Sequence, residues 1–141
     1  MTDKKMKKGF TLIEIVIVLA IAALIMVVVF LAVQGAQRGQ RDQARKDYAS
    51  QGLAKIQEFA GNNGGNASTI TVANFQAYMG NRTINGQAPT ITIPATPPAN
   101  NAACTSTPPA EVVQITGAAI STGNQVAVCL EANVFYVARV Q

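Results

Sequence analysis

Lys7-Lys8-Gly9-Phe10-Thr11-Leu12-Ile13-Glu14, followed without a break by 19 apolar residues from Ile15 to Val33, is the stretch whose reading decides the fold. A basic tail, a glycine and an aromatic residue lead into a membrane-length hydrophobic run that carries one carboxylate just inside its start. From Phe10 to Val33 there are 24 residues, roughly 36 Å of helix, which is enough to span a bilayer. The 14 Ile, Val, Leu and Phe residues between positions 15 and 33 favour insertion by roughly 4–8 kcal/mol, more than one carboxylate near the end of the run takes back. The run exceeds the apolar core of an ordinary secretory signal, about 7–15 residues, and Val33-Gln34-Gly35 is a poor cleavage site. It therefore reads as an anchor. An ionisable residue inside such a segment is a functional-site hypothesis by default, which makes Glu14 the first candidate site residue.

The rest of the composition narrows the function by exclusion. At 141 residues the chain has room for the anchor and one modest domain. Of the formal charge of +4, most belongs to the tail, where Lys4, Lys5, Lys7 and Lys8 face only Asp3. The remainder is nearly neutral, which speaks against a nucleic-acid surface. There is no histidine, and beyond Glu14 the acids Asp42, Asp47, Glu58, Glu111 and Glu131 are scattered. No group has metal-ligand spacing and no base accompanies a Ser or Cys nucleophile, so neither an enzyme nor a bound metal or cofactor is expected. Two cysteines, Cys104 and Cys129, suggest one disulfide in an exported region, with two buried thiols as the alternative. Positive charge hardly orients the anchor, because four lysines precede it and Arg38, Arg41, Arg45 and Lys46 follow within about 15 residues, which makes the count nearly a tie. The cysteine pair orients it: the C-terminal part lies outside the cytoplasm and the lysine tail inside.

Downstream of Val33 the sequence stays helix-compatible to Ala60. Ala44, Tyr48, Ala49, Leu53, Ile56, Phe59 and Ala60 recur at three- and four-residue spacing and form one apolar stripe. Arg41, Arg45, Lys46, Asp47, Lys55 and Glu58 are expected mainly on other faces. Gly61-Asn62-Asn63-Gly64-Gly65-Asn66 stops the helix, so a single helix is expected over 10–60. Thr71 is expected to cap a short helix over 72–79 that ends at Gly80, and Asn85-Gly86 reads as a turn. Strands are expected at 90–93, 111–116, 125–131 and 134–140, the last two joined as a hairpin near Ala132-Asn133. Their alternation suits an antiparallel sheet with one face on the helix stripe. Val126, Val128 and Leu130 form one candidate core row, Tyr136, Ala138 and Val140 another, and Cys129 points the opposite way. Residues 94–109 form a proline-rich loop that carries Cys104.

Gly9-Phe10-Thr11-Leu12-Ile13-Glu14, after a lysine-rich leader and before a long apolar helix, resembles the class III signal sequence of bacterial type IV prepilins, which pseudopilins of type II secretion share. The resemblance covers about the first 33 residues, and the remainder matches in layout only. It implies an α+β, type IV pilin-like fold with a leader at 1–9, a transmembrane and filament-core half-helix at 10–33, an amphipathic half at 34–60 and a head with a small antiparallel sheet at 61–141. It implies that prepilin peptidase cuts after Gly9 and that the new N-terminal Phe10 is N-methylated. The pilus assembly machinery would then draw the subunit from the inner membrane into a homo-oligomeric helical filament at the cell surface. In such a filament Glu14 is expected to pair with the α-amine of a neighbouring copy and so set the axial register. The family also implies a Cys104–Cys129 disulfide closing a surface region used for adhesion or subunit contact. Either Met1 or Met6 could serve as the initiator.

One departure stands out: many family members carry a proline in the first half of the helix, and none occurs here between Phe10 and Ala60. Gly35 and Gly39 are the weak points instead, as a flexible spot, a close helix–helix contact or neither. The nearest alternative is a pseudopilin of a secretion or DNA-uptake system. Major secretion pseudopilins bind calcium near the C-terminus, where this chain offers only Glu111 and Glu131 as acidic ligands. A different class of alternative is a single-pass anchored protein whose head binds a ligand. The sequons at Asn66 and Asn81 are read as coincidental.

Overall fold

A computed structural model describes residues 9–104, 111–117 and 123–140. The lysine leader and Met6, and residues 105–110 of the proline-rich loop, lie outside the described residues. The elements in order are α1 (Leu12–Asn62), α2 (Val72–Met79), β1 (Thr90–Thr92), β2 (Val112–Thr116), β3 (Gln125–Cys129) and β4 (Phe135–Arg139). The chain divides into two units, one running to Gln37 and the other from Arg38 onward, with α1 contributing to both.

In the first unit α1 begins two residues later than the sequence suggests, because Thr11 is its cap rather than its second residue. Its apolar side chains are uncovered: Leu24 is 67% exposed and Phe30 67%. An 18-residue window of this helix has a mean hydropathy of 3.5, long and apolar enough to cross a membrane.

In the second unit the C-terminal part of α1 packs on one face of a four-stranded sheet of order β1-β2-β3-β4. Tyr48, Ala49, Ile56, Phe59 and Ala60 meet Val113, Ile115, Val126, Val128 and Ala138 in a core completed by Phe75, Met79 and Ile84. The expected stripe therefore faces the sheet, and Val126, Val128 and Ala138 of the two expected strand rows supply its partners, with Leu130 and Tyr136 partly buried at the margin and Val140 half-buried outside this core. Gly52 lies on the same face, where a methyl group would come within 2.9 Å of the Phe75 ring and 3.4 Å of Val126. The helix can approach this closely because position 52 has no side chain.

The helix runs on to Asn62, past Ala60. There the Asn63 side chain donates to the Phe59 carbonyl at 2.8 Å and the Gly65 N–H to the Ala60 carbonyl at 2.8 Å, satisfying carbonyls that the last turn leaves open. In α2 the Thr71 hydroxyl accepts from the Asn74 N–H at 3.2 Å, and Gly80 closes the helix in the left-handed region at φ 63°, both as the sequence suggests. Asn85 and Gly86, at φ 52° and 79°, make a two-residue turn closed by paired bonds between Ile84 and Gln87, each 2.8 Å.

Strands β2, β3 and β4 are antiparallel. β1, however, joins β2 in parallel, pairing Thr90 with Val112, so the sheet is mixed rather than wholly antiparallel. The long connection between β1 and β2 permits the return that a parallel neighbour needs. β3 stops at Cys129 instead of Glu131 because Leu130 to Asn133 form the hairpin turn, with Asn133 at φ 57° and a 3.0 Å bond from the Asn133 N–H to the Leu130 carbonyl.

Candidate functional site

At the start of α1, Gly9 and Phe10 are exposed and precede the helix. A methyl group on Gly9 would meet nothing within 4 Å, so the Gly9–Phe10 bond lies in open, non-helical backbone. Phe10 itself is 85% exposed. Glu14, expected to pair with a neighbouring copy, also has partners within its own chain. Its Oε2 accepts from the Thr11 N–H at 2.8 Å and from the Thr11 hydroxyl at 2.7 Å, while the Glu14 N–H donates back to Thr11 Oγ1 at 3.3 Å. This is a reciprocal capping box: the cap residue's hydroxyl satisfies an orphan N–H of the first turn, and the carboxylate three residues on satisfies the cap's own N–H. The Thr-x-x-Glu spacing signals it in the sequence, yet reading Glu14 only as an inserted charge hides Thr11. Glu14 Oε2 thus serves the helix start, and Oε1 accepts no hydrogen bond among the described residues. Phe10, Glu14, Ile17 and Val18 line one shallow groove on the same helix face.

A second constellation lies in the other unit. Arg45, expected on an outer face, is 3% exposed. Its Nε and Nη2 bind the two Glu111 carboxylate oxygens at 2.6 and 3.0 Å, a bidentate pair, while Nη1 reaches Asp42 at 2.9 Å and Glu131 at 3.2 Å. Arg41 also contacts Glu131 at 3.2 Å, and Asp42 accepts from the Glu131 N–H at 2.9 Å. The Asn85 side-chain amide donates to Glu111 at 3.0 Å. One guanidinium thus ties α1 to the residue before β2 and to the β3–β4 hairpin, and Glu111 in turn accepts from the turn at Asn85. Burial works against its charge, but the hydrogen bonds and charge of Glu111, with Asp42 and Glu131, more than offset this, so the Arg45 pKa lies above its ordinary value. The signal in the sequence is spacing: Arg45 precedes Ala49, Gly52 and Ile56 on the same helix line, so a charge interrupts the apolar stripe. Three of the five acids read as scattered, Asp42, Glu111 and Glu131, are brought together here, and Glu111 and Glu131, the only acidic calcium-ligand candidates near the C-terminus, both contact Arg45. Among the described residues no group of three or more His, Cys, Asp or Glu side chains is placed to hold a metal ion.

Cys104 and Cys129 form a disulfide with Cα atoms 6.0 Å apart. Cys129 faces away from α1, as expected, into a second cluster with Ala127, Phe135 and Val137. The bridge holds residues 101–104 against the outer edge of β4, where Asn101 donates to the Phe135 carbonyl at 2.8 Å, Phe135 to the Ala102 carbonyl at 2.8 Å and Cys104 to the Asn133 carbonyl at 3.0 Å.

Among known proteins, the family described as the prokaryotic N-terminal methylation motif matches residues 4–30. No match to the chain was found among curated proteins or among solved structures. The match falls on the leader, the Gly9–Phe10 junction, the capping box and most of the uncovered apolar helix. The chain therefore carries the class III signal of type IV pilins and pseudopilins at the head of an α+β fold of their kind.

Proposed function

We propose that the chain is the structural subunit of a type IV pilus, cut after Gly9 by prepilin peptidase, N-methylated at Phe10 and polymerised through its apolar half-helix. The segments are a leader at 1–9, a membrane-spanning and filament-core segment at 10–33, an amphipathic half-helix at 34–60 and a head at 61–141. The subunit waits in the inner membrane with the head outside the cytoplasm, then leaves in the surface filament. One observation carries this reading: the methylation motif leads straight into a half-helix whose large apolar side chains are uncovered within the chain. Such a surface demands a hydrophobic environment from outside, first lipid and then other copies of itself.

In the filament, Glu14 of each copy pairs with the Phe10 α-amine of a neighbour. Apolar helices alone slide past one another, whereas a charge pair removed from water admits one stagger. The capping box supports this role, since Thr11 engages Oε2 and leaves Oε1 without a hydrogen bond among the described residues. A pilin is favoured over a calcium-binding pseudopilin because Glu111 and Glu131 are both in contact with Arg45.

Mass spectrometry of subunits sheared from cells tests the processing: they should begin at N-methylated Phe10. Chains that retain the leader and enter no polymer overturn the reading. Glu14→Gln should insert normally and yield few filaments, and a normal filament yield from that variant overturns the register role. Electron microscopy at native expression separates the two assemblies, with extended filaments for a pilin and none for a pseudopilin.

A further inference from the structure

The turn that receives Arg45's partner contains a reactive dipeptide. In an Asn-Gly pair the backbone nitrogen after the asparagine can attack the side-chain carbonyl carbon, because glycine has no side chain to block the approach. Asn85 is exposed and Gly86 follows it; no atom lies within 4 Å of where a Gly86 methyl would sit. The Ile84–Gln87 bonds close the turn around them, and the Gly86 N–H carries no backbone hydrogen bond among the described residues. The Asn85 amide nitrogen, which such an attack expels, is the atom 3.0 Å from Glu111.

We propose that Asn85 is a self-modification site whose conversion to aspartate or isoaspartate loosens the hold of Arg45 on the head. The Gly86 nitrogen bonds to the Asn85 side-chain carbon, and the carbon–nitrogen bond of the amide breaks. The Gly86 N–H proton leaves with the amide nitrogen as ammonia, giving a cyclic imide. Water then opens the ring at either carbonyl, so the net change is one water consumed and one ammonia released, with no oxidant or reductant. Aspartate replaces a donor to Glu111 with a carboxylate that repels it, in a cluster that already sets Asp42, Glu111 and Glu131 against Arg41 and Arg45. Isoaspartate also lengthens the backbone of a turn whose closure needs two residues of ordinary length.

Asn63-Gly64 supplies an internal control. It is the other Asn-Gly pair of the chain, and among the described residues the Asn63 side chain donates only to the Phe59 carbonyl. The proposal stands apart from the pilin reading, because it concerns the folded head whether or not the chain polymerises.

The test is to hold the purified full chain, in detergent, in mildly alkaline buffer at growth temperature, and to follow each asparagine peptide by mass spectrometry alongside thermal unfolding of the head. The Asn85 peptide should gain the mass of an amide-to-acid conversion. As it does, the unfolding midpoint should fall by about 5 °C, a shift appropriate to a domain of this size. Gly86→Asn, which keeps a residue tolerant of positive φ and screens the attacking nitrogen, should arrest both changes. Asn85→Asp should show the lower midpoint from the start. An Asn85 peptide that stays unchanged while Asn63 converts overturns the proposal. So does conversion at Asn85 that leaves the midpoint where it began.

Discussion

The two parts of α1 have the same backbone and opposite relations to their surroundings. Up to Gln37 the helix carries its most apolar side chains in the open, with Leu12 81% and Met26 78% exposed. From Arg38 onward it is mostly polar, yet it buries Ala49, Ile56 and the guanidinium of Arg45 against the sheet. Hydrophobicity and burial are thus inverted along one helix. The second part is folded by its own chain: its stripe finds strands and its buried charge finds carboxylates. The first part finds no such cover among the described residues of its own chain.

The predictions sharpen that contrast, starting with the largest effect. Arg45→Ala leaves Glu111 buried without its bidentate partner and should cost about 3–5 kcal/mol of head stability, read by denaturant unfolding of the full chain in detergent. The pKa of Arg45 is raised in the folded state, so its contribution is complete below the unfolded value, which itself lies far into alkali, and fades only as pH rises through the folded one. The loss caused by Arg45→Ala should therefore be the same at neutral and at mildly alkaline pH.

Cys104→Ser with Cys129→Ser opens a loop spanning a sequence separation of 25 and should cost about 3 kcal/mol on the chain-entropy account. Hydrogen exchange should show the Phe135 amide losing protection first, because residues 101–104 then hold the β4 edge by backbone bonds alone. Gly52→Ala drives a methyl group into Phe75 and should cost about 1–3 kcal/mol in the same unfolding measurement. Gly35→Ala and Gly39→Ala meet open space and should raise the helicity of the isolated subunit by up to about 1 kcal/mol per site. Were Gly35→Ala or Gly39→Ala to block assembly while strengthening the monomer, these glycines would be contact or bending points of the polymer. Unchanged assembly assigns them no such role.

Much of the architecture was legible because the forces behind it are local. Thr71 and Gly80 bracket α2, Asn85-Gly86 makes its turn, and the stripe from Tyr48 to Ala60 meets the rows at Val126–Val128 and Tyr136–Ala138, all from propensity, capping and period. The motif at Gly9–Glu14 is likewise read from adjacent residues. The Thr11 cap is equally local, since its Thr-x-x-Glu spacing marks it, although the cost of a charge in a membrane segment points to Glu14 alone.

What the chain order alone determined is therefore the helix, its two characters, the caps, the hairpin and the processing signal, since each depends on residues a few positions apart. The tertiary structure decided the parallel placement of β1, the burial of Arg45 and the gathering of Asp42, Glu111 and Glu131 around it. Those contacts join residues up to 89 positions apart. Spacing along the chain marks Arg45 as a charge on the apolar line but not which carboxylates meet it, because a buried charge is tolerated only once the fold has brought its counter-charges within hydrogen-bond reach.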